Sequence, residues 1–377
     1  LLGARLLDAV ADPLIGRWGD RLFATSAAHA WRAAAAAAVV LALGLQALFF
    51  PPAGLGRETA LLAWCAGALA LTYLAYSVAS VLHQAWGARL GGDERQRARI
   101  VSWREGLALV GVLVASVLPA VAGLQAMTVV FAITLALAMA LLWWAPRPAP
   151  QPALQPGAQP GSGVAAVPGS PWHNAAFRRL LAVYLVNGIA SAVPATLVLF
   201  FVRDRLQAEA FEPLFLASYF AAGAVSMPLW VALVARMGLA RAWLAGMVLA
   251  VLAFAWAALL GTGDVAAYTA VCVASGVALG ADLALPGALL AGVIQRAGHA
   301  GRLEGAYFGW WNFATKLNLA LAAGLALPLL GAFGYAPGAR GETALQALTL
   351  AYCLLPCLLK LAAAALLHRF THRMDTP

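Results

Sequence analysis

Eleven apolar stretches, each read as a bilayer span, succeed one another along a chain of 377 residues. They cover roughly 1–16, 31–51, 60–86, 105–122, 125–145, 178–202, 213–235, 240–261, 265–294, 304–331 and 343–368. A hydrocarbon core about 30 Å thick takes about 20 residues of helix to cross. Strand-like alternation is absent, so the runs predict a helical bundle rather than a barrel. The first run opens at residue 1, which reads as a span already under way. Composition agrees: 63% of residues are hydrophobic and 10% charged, whereas a soluble chain carries about a quarter charged residues.

Between the fifth and sixth runs lies Pro146 to Pro171, rich in Pro, Gly, Ala and Gln and nearly free of charge. Such a stretch has nothing to bury and predicts a flexible linker. It divides the chain into a bundle over 1–145, a linker over 146–176 and a six-helix bundle over 177–377. Five spans before and six after fit an even twelve with the first one missing. The net charge of +9 would point to nucleic acid in a soluble protein; here the position of the charges matters more. Seventeen arginines fall in one set of alternate loops or span ends and four in the other. The positive-inside rule then puts linker and C-terminus in the cytoplasm. This predicts a multi-pass protein of a bacterial inner membrane, a monomer, with no nucleic-acid partner. Cys65, Cys272, Cys353 and Cys357 sit in apolar runs without C-x-x-C spacing and predict neither disulfides nor a metal site.

Charges inside spans are costly and mark function by default. Asp8 and Asp12 lie four residues apart, on one helix face among Leu, Ala, Val and Ile. Two carboxylates a turn apart in such surroundings repel, and a proton, a cation such as Na⁺ or a basic side chain resolves the conflict. The alternative is a helix end with both acids solvated. Arg5 can share the face of Asp8, as anchor or as part of the site. Lys316 sits near mid-bilayer and needs an acidic partner or a wet cavity; Asp8 and Asp12 are the obvious partners, for coupling or as a structural pair. Asp282 is a further intramembrane acid and a candidate to line the solute cavity. Lys360 lies nearer the cytoplasmic end, where it can snorkel, and is given no role. Asn187, Asn312 and Thr315 can line a cavity or hold helices together. No H-E-x-x-H, G-x-S-x-G or His/Asp cluster supports an enzyme.

The opening Arg5-Leu-Leu-Asp8-Ala-Val-Ala11-Asp12-Pro13-Leu-Ile-Gly16 resembles the second-helix signature of the glycoside–pentoside–hexuronide:cation symporters. These are the melibiose-carrier branch of the major facilitator superfamily. Gly16-Arg-Trp-Gly-Asp20-Arg21 is similar to that superfamily's cytoplasmic gate motif, and Asp93-Glu94-Arg95 with Trp103-Arg104 to the family's loop before helix five. Glu304-Gly-x-Tyr-Phe-Gly309-Trp with Lys316-Leu is similar to its helix-eleven signature. The resemblance implies an all-α, two-bundle transporter with eleven of twelve spans present. It implies that Asp8 and Asp12 hold the coupling cation, that Lys316 connects cation and solute sites, and that Arg104 faces the cavity. No cofactor is implied beyond the coupling ion.

The departures shape the expectation. Melibiose members carry Asn where this chain has Ala11, which removes an oxygen ligand and favours H⁺ over Na⁺. Their sugar-binding Asp and stacking Trp align with Ser77 and Val81, so a galactoside loses an acceptor and a platform. The function expected is cation-coupled symport of an organic solute, sugar-like by resemblance. A lipid or lysolipid cargo on the same fold is the alternative.

Overall fold

The computed structural model describes residues 2–54, 58–148 and 170–375. All eleven apolar runs coincide with helix along most of their length, and no strand occurs among the described residues. The helices are α1 (Leu2–Thr25), α2 (Ala27–Phe49), α3 (Glu58–Arg89), α4 (Glu94–Trp144), α5 (Ala175–Phe200) and α6 (Glu212–Met237). They continue with α7 (Leu239–Ala257), α8 (Val265–Arg296), α9 (Glu304–Ala332), α10 (Glu342–Thr349) and α11 (Leu355–Asp375). Eight helical segments among the described residues are long and apolar enough to cross a membrane. Large side chains such as Trp144, Val121 and Leu259 are more than three-quarters exposed, as lipid-facing positions are. The structure is that of an integral, multi-pass membrane protein.

Two features of local chemistry set where helices break. Gly123 sits at φ 84°, ψ 166° inside α4, a backbone conformation a side chain rarely tolerates. It divides α4 into the two spans read from the sequence without any loop between them. Pro194 lies inside α5 without ending it, and the helix closes in a π-helical turn over Phe201–Arg205. A second π turn, Leu350–Leu354, joins α10 to α11 and makes one long span of them. Each π turn carries a residue more per turn than an α-helix and rotates the helix beyond it.

Contacts divide the chain into two units that cut across its linear halves. The first holds residues 1–91, 115–177 and 293–313, the second 92–114, 178–292 and 314–377. In the first, α1, α2 and α3 pack on one another. The buried face of α2 is Ala30, Ala34, Ala37, Ala38, Leu41 and Gly44, so small residues let the helices approach closely. Phe23, Leu82 and Trp86 complete this core. In the second unit the core is aromatic. Phe201 stacks on Tyr352 at 4.3 Å, and the hydroxyls of Tyr352 and Tyr268 meet at 2.6 Å. Of the linker expected over 146–176, residues 149–169 lie outside the described residues; Pro171–His173 forms one 3₁₀ turn capped by Ser170.

Candidate functional site

Asp8 and Asp12 face inward from α1. Asp8 is 6% exposed and Asp12 0%, so the solvated alternative for the pair does not apply. The Ser77 hydroxyl, on α3, donates to Asp8 Oδ1 at 2.6 Å. Ser77 thus belongs to the carboxylate site, although the sequence aligned it with a solute-binding position. Pro13 follows Asp12 and has no N–H for the carbonyl of Ala9, its usual helical acceptor. A backbone oxygen is thereby released one residue from Asp8. The start of α9 crosses α1 at this level: a Cβ on Gly309 would lie 2.4 Å from the Asp12 carbonyl oxygen, and one on Gly305 2.3 Å from that of Gly16. The Gly305-x-x-x-Gly309 spacing is what permits this backbone contact. The Arg5 side chain lies outside the described residues.

One turn beyond Gly16 the same two helices form a second buried cluster. Asp20 accepts from the N–H groups of Gly305 and Ala306, both at 2.8 Å, at the N-terminus of α9. Helix N-termini attract anions for this reason. Arg89, the last residue of α3, donates to Asp20 at 2.8 Å and to the Gly301 carbonyl at 2.5 Å, and forms an ion pair with Glu304 at 3.2 Å. Its guanidinium also lies 4.3 Å from the centre of the Phe23 ring. Asp20 lies beyond the apolar run of α1. Burial pushes its carboxyl up to about 6, against the pull of Arg89 and the two amides. Two carboxylates share one guanidinium here. Arg21, grouped with Gly16 and Asp20 in the sequence, is exposed and stays outside the cluster; Arg89 is the cation used.

The second unit holds the other intramembrane charges. Lys360 is 3% exposed, so it does not snorkel, and the reading that gave it no role is corrected. Its ammonium donates to Asn187 Oδ1 at 2.9 Å, to Ser191 Oγ at 3.0 Å and to Asp282 Oδ2. Asp282 Oδ1 takes the Asn187 amide at 3.1 Å and the Trp243 indole at 2.9 Å. Asn187 and Asp282, expected as cavity residues, are thus bound into one polar knot spanning α5, α7, α8 and α11. Arg104 pairs with Glu105 at 2.7 Å, each about one-fifth exposed. Thr315 shares a hydrogen bond of 2.7 Å with Tyr184. Lys316 is half-buried on α9, in this same unit; Asn312, in the first unit, is also half-buried. Trp243 and Ser191 carried no sequence signal beyond being polar groups in apolar runs.

No curated protein sequence matches the chain. Solved structures of similar fold include the E. coli fucose:proton symporter, with TM-score 0.64 and 15% identity over 96% of this chain and 90% of that one. A bacterial homologue of the iron transporter ferroportin, in an outward-facing state, gives 0.66 and 17% over 98% and 89%. The human organic anion transporter TETRAN gives 0.65 and 16% over 97% and 82%. At these identities the likeness is one of fold. Residues 1–372 match the family described as MFS/sugar transport protein, and the chain, an all-helical membrane transporter of major facilitator fold, belongs to that family.

Proposed function

We propose that this transporter is a cation-coupled symporter of an organic solute, sugar- or glycoside-like, of the melibiose-carrier-like branch. The observation that carries the proposal is the buried pair Asp8 and Asp12 on one face of α1, with Ser77 bonded to Asp8. Membership of a sugar-transport family supports the solute class.

The chemistry is that of the site. Two buried carboxylates one turn apart repel, and a bound cation or proton lowers that repulsion. H⁺ drives uptake at least as well as Na⁺, because Ala11 offers no side-chain oxygen. Moving one charge down 100 mV supplies about 2.3 kcal/mol, against about 1.4 for a tenfold solute gradient. One coupled ion is therefore sufficient for accumulation. The arginine bias supports a cytoplasmic linker and C-terminus.

The test is uptake into proteoliposomes under an imposed pH or Na⁺ gradient, with a panel of sugars, glycosides and lysolipids. Asp12→Asn keeps the shape of the side chain and loses its charge; accumulation is expected to fall to the level of facilitated equilibration. A variant that accumulates solute as the parent does would make the carboxylates structural. Uptake of a lysolipid alone would replace the solute class.

A further inference from the structure

Within the second unit a partly open cavity of ≈ 140 Å³ adjoins the Asp282–Lys360 pair, lined by residues of α5, α6, α7, α8 and α11 and of the π turn before α11. Its walls are mostly apolar and include the rings of Phe215, Phe254, Tyr268 and Tyr352. An apolar cavity of about 150 Å³ in a protein core takes up benzene, so this volume admits a single six-membered ring.

The polar end specifies the occupant's charge. An ammonium has three N–H groups, and all three of Lys360 are met by Asn187, Ser191 and Asp282. Asp282 receives four hydrogen bonds, two on each oxygen. Positive and negative charge are both answered inside the protein, so a charged ligand would bring a charge with no counterpart into a mostly apolar cavity. The occupant is neutral. Tyr219 supplies the remaining term. Tyr219 lines the cavity, as Asp282 does, and its hydroxyl makes no hydrogen bond among the described residues. A phenolic O–H in such a place calls for an oxygen acceptor on whatever fills the cavity.

From these observations we infer a binding site, separate from the carboxylates of α1, for a neutral solute of one ring and one hydroxyl, of the phenol or cyclohexanol class. The ring lies against Phe215 and Phe254, and the hydroxyl bonds Tyr219. The inference does not depend on the coupling proposal, since it concerns equilibrium binding alone.

The experiment uses the full chain in lipid nanodiscs, with 4-fluorophenol and 4-fluorotoluene as probes followed by ¹⁹F NMR. Saturable binding of both is expected, with fluorophenol the tighter. Tyr219→Phe should weaken fluorophenol by about 3- to 10-fold, the range of one net hydrogen bond, and leave fluorotoluene unchanged. Ala278→Leu, which places three carbons into the cavity from α8, should abolish saturable binding of both. Ala250→Leu does the same from α7 if the first variant fails to fold. Absence of saturable binding in the parent would overturn the site. So would binding that survives both Leu variants, which would mark partition into lipid or another surface. Equal weakening of both probes by Tyr219→Phe would overturn the role of the hydroxyl.

Discussion

Replacing Lys360 by Met tests the central claim about the second unit. Met matches the length of the lysine stem and suits an apolar interior, so packing is nearly conserved. What changes is the charge. The Asp282 side chain is 11% exposed and would be left ionised without its counter-ion, or would take up a proton to avoid it. Breaking a buried pair by removing one partner costs about 3–5 kcal/mol. Asn187 Oδ1 also loses its donor, at about 1–3 kcal/mol if water does not replace it. These terms overlap, so a loss of about 3–5 kcal/mol is the working figure. Adding Asp282→Asn removes the stranded charge, and the double variant should recover most of that loss. The assay is thermal and denaturant unfolding of purified parent, both single variants and the double variant, read as a double-mutant cycle. A Lys360→Met protein as stable as the parent would refute the reasoning, as would additive single effects.

Three further outcomes concern the first unit and the linker. The Asp20 carboxyl is raised in the folded state from 3.8 to about 6. A raised acid stabilises the fold when protonated, a contribution complete below about pH 3.8 and lost as pH rises through about 6. Acidification from about pH 7 to about 5 should therefore raise the melting temperature of the parent more than that of Asp20→Asn. Gly305→Ala places a methyl group 2.3 Å from the Gly16 carbonyl oxygen; the helices must separate, and a loss of about 1–3 kcal/mol is expected in the same unfolding assay. A cysteine introduced as Gln155→Cys should react with impermeant reagents only from the cytoplasmic side, in intact cells against inverted vesicles. Labelling from outside would reverse the orientation.

The helices were legible because hydrophobicity is a local property: each span announces itself within its own stretch of about 20 residues. The same holds for Asp8 and Asp12, whose shared face is a matter of their spacing alone. What escaped the sequence are partnerships between helices. Lys360 looked able to snorkel because its depth was judged along its own helix, and Asp282 lies 78 positions earlier on α8. Ser77 was aligned with a solute position, yet its hydroxyl is spent on Asp8. Arg21 stands next to Asp20 in sequence, but it points outward, and the cation that reaches Asp20 comes from the end of α3. The contact units could not be read either. Residues 92–114 and 293–313 group by contacts with helices far away in sequence, which no local pattern encodes.

The polar knot around Asp282 also bears on which acid would carry the ion in the proposed symport. An exchangeable ion needs a carboxylate whose ligands can be given up and regained within each cycle. Asp282 has both oxygens doubly bonded to protein donors, one of them an ammonium, and displacing that shell means stranding Lys360 in an apolar interior. Such a group serves as a fixed tie between helices rather than as a seat for a passing ion. The Asp8 carboxylate of α1 is held by the Ser77 hydroxyl, a neutral ligand of the kind a small cation or a proton exchanges readily. The two sites should therefore separate in one uptake experiment. The double variant Asp282→Asn with Lys360→Met should keep gradient-driven accumulation, at a rate reduced no more than its stability predicts, whereas Asp12→Asn should lose it. Loss of coupling in the double variant, with folding and solute binding intact, would move the ion from α1 to α8 and overturn this assignment.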